Sequence, residues 1–96
     1  MVVDLNEYAE GAVLLDGLEA AIIGIVEEFG NGKRILYSKD TIIDILCVTH
    51  LMTEPEAEEY FNYNILGLRA GQQNAVFLDR KIVPDLTENG WEFKLA

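Results

Sequence analysis

The amino-acid sequence predicts an α+β fold, a small antiparallel sheet of three or four strands packed against a helical hairpin. Three observations point there. Residues 53–67 spell out a complete helix with start, buried face and stop, and residues 38–50 carry a second helical period just before it. β-branched runs flank Gly30-Asn31-Gly32, and another apolar run follows at 75–78.

In chain order, the apolar run Ala12–Leu18, broken by Asp16-Gly17, is expected to be a short strand followed by a turn. Residues 21–29 are long enough for a helix, and a helix over 18–28 is the alternative. Ile22, Ile23, Ile25 and Val26 are β-branched, however, and Gly24 further favours a strand. Gly30-Asn31-Gly32 tolerates positive φ and leads into Lys33–Tyr37, so a hairpin is the simplest account. Ser38 then suits an N-cap. Ile42, Ile45, Leu46 and Thr49 recur on one helical face, with an end near His50.

Thr53 and Glu56 form a capping box, and Pro55 sits in the first turn, where a missing N–H is harmless. Met52 is placed to staple against Ala57. Ala57, Phe61, Asn64, Ile65 and Leu68 share one face, and Gly67 is expected to end the helix in the left-handed conformation. The short link makes the two helices a hairpin. Residues 71–74 read as a loop and 75–78 as a strand. Pro84, Asn89 and Gly90 then interrupt the pattern, leaving Trp91 and Phe93 at period-two spacing on an edge strand. The expected core is Leu14, Ile23, Ile25, Ile35, Ile42, Leu46, Phe61, Ile65, Val76 and Leu78.

A chain of 96 residues, 50% hydrophobic and 25% charged, has the composition of one globular domain spanning residues 1–96. Its net charge of −10 is unevenly placed. Residues 1–32 hold seven carboxylates and no lysine or arginine, and Glu54, Glu56, Glu58 and Glu59 form a second acidic block. Both would repel nucleic acid and anionic membrane, so direct partnership with either is not expected. The Glu block also lies where a helix dipole favours carboxylates. Cys47 is the single cysteine, which fits a reducing compartment, and its apolar neighbours predict a buried thiol. No apolar run is long enough to span a bilayer, and the N-terminus lacks the basic region of a signal peptide; a cytoplasmic location is expected.

One pattern extends over roughly residues 14–78. Asp16-Gly17 and Ala20-Ala21-Ile22-Ile23-Gly24-Ile25 are followed by a tyrosine before a helix, then by Glu56-Ala57-Glu58-Glu59-Tyr60 through Gly67, then by Asn74-Ala75-Val76-Phe77. This resembles a family of small uncharacterised bacteriophage proteins. Its relatives often carry proline just before the final apolar strand, where this chain has Ala75. The resemblance implies phage origin and action in the cytoplasm of an infected bacterium. It brings no established activity and no functional residue.

No catalytic residues, metal or cofactor are expected. His50, the only histidine, falls at a helix end, where a cation is favoured, and Cys47 lies one turn before it without an orienting third group. Pairs of glutamates one helical turn apart read as a solvated face rather than as a calcium site, which draws on loop oxygens. Gly67, Arg69 and Gly71 could cradle a small anion; a helix stop and turn is the plainer reading. Tyr60, Phe61 and Tyr63 cannot all face one core, so with Phe61 inside, Tyr60 and Tyr63 are left for an interface. Asn64 on the inner face would need hydrogen-bond partners.

The leading expectation is a noncatalytic phage accessory protein that binds and modulates a host bacterial protein. Tyr60, Tyr63, Glu54, Glu58, Glu59, Glu27 and Glu28 would be its interaction residues, and a homo-oligomer is compatible. The alternatives are an acidic nucleic-acid mimic occupying a basic host groove, and a module sequestering a small anion or nucleotide at Arg69.

Overall fold

The computed structural model describes residues 1–30, 32–67 and 73–96. A one-turn helix α1 (Leu5–Tyr8), capped by the Asp4 carboxylate, precedes an irregular segment and a 3-10 turn at Glu19–Ala21. Strands β1 (Ile22–Glu28) and β2 (Gly32–Ser38) form the expected antiparallel hairpin. Helices α2 (Lys39–Thr49) and α3 (Glu54–Tyr60) follow and pack against each other. After a π-helical segment (Phe61–Leu66) come β3 (Val76–Leu78), β4 (Ile82–Thr87) and β5 (Gly90–Leu95).

The architecture is mixed, with a three-stranded sheet ordered β1-β2-β3 and a separate two-stranded sheet β4-β5. This corrects the expected single antiparallel sheet. β3 pairs parallel to β2, because both helices intervene and a connection of that length permits a crossover that a tight turn forbids. The second strand of the C-terminal hairpin is the expected Trp91/Phe93 strand, but its partner β4 includes Pro84, a residue expected only to interrupt.

The buried cluster joins Ile35 and Tyr37 of β2, Ile42, Ile43 and Leu46 of α2, and Ala57, Phe61 and Ile65 from α3 and the π segment, with Ala9, Leu18 and Ala21. Phe77 enters between two rings, edge-on to Phe61 at 5.2 Å and tilted to Tyr37 at 6.0 Å. Such pairs contribute about 0.5–1.5 kcal/mol each beyond the area they bury.

Of the ten expected core residues, Leu14, Ile23, Val76 and Leu78 lie outside the core. In β3 it is Phe77, opposite Tyr37, that faces inward, while Val76 and Leu78 alternate outward and are half-buried. A bulge between Ile22 and Gly24 turns Ile23 to solvent, whereas Ile25, half-buried, packs against the core as expected. Residues 12–18 form no strand: the Val13 amide donates to the Gln73 carbonyl, the Leu15 amide to the Tyr37 hydroxyl, and Leu14 is exposed. The turn at Asp16-Gly17 is present, with Gly17 at φ +86°. Cys47 is half-buried rather than buried.

Candidate functional site

The site is built on α3 and its continuation. The Thr53 hydroxyl accepts from the Glu56 amide at 3.3 Å, and the Glu56 carboxylate accepts from the Thr53 amide at 3.1 Å and from its hydroxyl at 2.8 Å. Those bonds, the hydroxyl's first, hold the Glu56 carboxyl below its usual pKa and keep it ionised. The capping box thus fixes a charge as well as a helix start.

Beyond Tyr60 the helix widens into the π-helical segment, a rare form that is frequent at functional sites. The wider turn keeps Phe61 and Ile65 inside while Asn64, expected on the inner face, comes to the surface. Gly67 likewise departs from expectation, because at φ −76° and ψ −8° it is right-handed. Tyr60 and Tyr63 are 42% and 78% exposed. With Met52, Glu56, Glu59 and Asn64 they border a groove of about 440 Å³.

Tyr60 and Asn64 also border an adjoining crevice of about 280 Å³ that reaches Asp16, Leu18 and His50. The two depressions form one surface with Tyr60 and Asn64 as its ridge. Its chemistry combines aromatic faces, a thioether and carboxylates, which suits a segment carrying a cation beside apolar carbons.

The remaining candidate residues are dispersed. The Glu58 carboxylate pairs with the Lys39 ammonium at 2.6 Å, and Asp79 adds a second contact at 3.6 Å; these partners, Glu58 foremost, raise the Lys39 pKa. Glu54 faces a different crevice, with Asp40, Asp44 and Cys47. Glu27 and Glu28 end β1 opposite Lys33 and Gly32, and Glu28 forms an ion pair with Arg34. Arg69 and Gly71 lie outside the described residues. Cys47 and His50 open onto separate crevices. Among the described residues, no three His, Cys, Asp or Glu side chains gather as a metal site would require. No helix of the described residues is long and apolar enough to cross a membrane.

Sequence reasoning missed the groove as a continuous surface. Its signal was present in Tyr60–Asn64, where aromatic and asparagine residues crowd positions that one regular α-helical face cannot absorb. Comparison of the chain with family models, curated proteins and solved structures finds no match.

Proposed function

We propose that this chain is a noncatalytic phage accessory protein that binds a protein of its bacterial host and modulates it through the groove of α3 and the π segment. The observation that carries the reading is the juxtaposition of Tyr60 and Tyr63 with Glu56 and Glu59 around one surface depression. Tyrosine is enriched at protein interfaces, and carboxylates beside it select an arginine or lysine on the partner. Phage origin draws on the sequence pattern of residues 14–78, and a cytoplasmic setting on the single cysteine. The groove's rigidity draws on a finer reading of the fold, in which α2 and α3 form a helical hairpin laid on the three-stranded sheet through the Phe61–Phe77 contact. A nucleic-acid mimic draws less support, since Glu28 and Glu58 are neutralised by Arg34 and Lys39.

Affinity capture from nuclease-treated bacterial lysate tests the proposal, with tagged wild type beside a Tyr60→Ser/Tyr63→Ser variant of unchanged circular dichroism. A near-stoichiometric host protein captured by wild type and lost by the variant is the expected result. Equal capture by both sinks the groove as the binding surface. Capture that collapses between low and moderate salt transfers the case to charge mimicry.

A further inference from the structure

The β4–β5 hairpin presents a surface that the described residues of its own chain leave bare. Cross-strand partners in an antiparallel ladder share a face, and the register pairs Ile82 with Leu95, Pro84 with Phe93 and Leu86 with Trp91. All six side chains of that face are apolar, and all six are exposed, with Leu86, Trp91 and Phe93 each more than three-fifths open to solvent. The opposite face carries Asp85, Thr87, Glu92 and Lys94 beside a single apolar residue, Val83, with an ion pair between Lys94 and Asp85 at 3.7 Å. Apart from Val83 the two strands alternate apolar with polar, the pattern of a strand with one face buried.

The other described residues do not bury it. β4 and β5 pack substantially only on each other, and the radius of gyration of 15.7 Å exceeds the roughly 12.5 Å of a compact chain this long. A two-stranded ribbon alone is marginal in water and needs a further layer against its apolar face.

We infer that this layer is a second copy of the chain, the two hairpins packing apolar face to apolar face about a two-fold axis. Area and charge both single out this occupant. Each face exposes on the order of 600 Å² of apolar side chain, so two together would bury about 1,200 Å², enough for a specific interface. The chain's net charge of −10 would drive copies apart almost anywhere else. Within residues 80–96, however, Arg80 and Lys81, just before the hairpin, together with Lys94 balance Asp85, Glu88 and Glu92, so the whole net charge lies in residues 1–79. Two acidic chains can therefore meet at this neutral arm, leaving the tyrosine groove to another partner.

Trp91 is the only tryptophan and lies on the inferred interface, so it reports the contact directly. The test measures mass by light scattering and Trp91 emission across a dilution series reaching tens of micromolar. Wild type is expected at twice 10.8 kDa, with emission shifting to the blue as the mass doubles. Leu86→Glu/Phe93→Glu should abolish both changes, and Glu92→Gln on the polar face should retain both. A single-chain mass at every concentration overturns the inference, whether Trp91 is shielded by its own chain or captured by added phosphatidylcholine vesicles. A doubled mass with Trp91 still water-exposed, or one that survives the double substitution, overturns the interface.

Discussion

The Leu15 amide donates to the phenolic oxygen of Tyr37 at 2.8 Å, across 22 residues of chain. Tyr37 is fully buried, and its burial raises the phenol's pKa. This hydroxyl satisfies one amide of a segment with no strand partner, and so ties residues 12–18 to β2. Tyr37→Phe keeps the ring against Phe77 but leaves that amide unpaired, which costs about 1–3 kcal/mol. Urea unfolding should give a midpoint lowered accordingly at unchanged slope, and amide exchange at Leu15 should accelerate. An unaltered midpoint would mean that water replaces the phenol.

What was legible in the sequence was what short-range chemistry decides. The capping box at Thr53, the N-cap at Ser38 and the antiparallel pairing of β1 with β2 depend on residues close in sequence, and all are present. What escaped depends on distant partners. The apolar run at 12–15 looks like a strand, yet its amides go to Gln73 and Tyr37. Phe77 rather than Val76 faces inward because β3 joins β2 in a register that no local pattern encodes. The site residues divide likewise: exposure of Tyr60 and Tyr63 follows from helical geometry, whereas pairing of Glu58 with Lys39 needs two elements in place.

Gln73 works as a second long-range tie. Its side-chain amide donates to the carbonyls of Glu10 at 3.0 Å and Lys33 at 2.8 Å. It fits there because Gly11 has no side chain: a Cβ at Gly11 would lie 2.4 Å from the Gln73 Oε1, and Gly11 also has φ +84°. Gly11→Ala therefore meets a steric and a conformational penalty together, the latter alone about 1–2 kcal/mol. Thermal unfolding should fall by at least about 4 °C for a domain of this size. Gly17→Ala, at φ +86° with open space around it, isolates the conformational part and should fall less.

Glu56 makes the capping box a source of acid sensitivity. Its folded pKa lies below the usual 4.5 because the Thr53 hydroxyl and amide bind the charged form. The linked stability is therefore present above the unfolded pKa and lost as pH falls through the lower, folded one. Thr53→Ala should cost about 1 kcal/mol at neutral pH as a lost cap, and should also flatten the decline in stability below pH 4.5. Glu19, whose carboxyl is lowered by its own and the Gly17 amides, keeps part of the acid slope in the variant. Parallel pH profiles for the two proteins would show that Glu56 gains nothing from the Thr53 hydroxyl.

The link between α2 and α3 turns on Leu51, the only non-glycine residue at positive φ among those described, at +55°. The position lets the Met52 amide turn back to the Leu46 carbonyl at 3.3 Å, so that Met52 packs on the core and the chain reaches Thr53 at the right angle. Left-handed leucine costs about 1–2 kcal/mol relative to a residue that adopts the conformation freely. The side chain recovers little of that, being 87% exposed. Leu51→Gly relieves the strain and gives back part of the gain through the freer unfolded chain, about 0.5–1 kcal/mol. Leu51→Asn should therefore stabilise the fold at least as much as Leu51→Gly, both raising the urea midpoint above wild type. A fall in both would show that Leu51 makes a contact worth more than its strain.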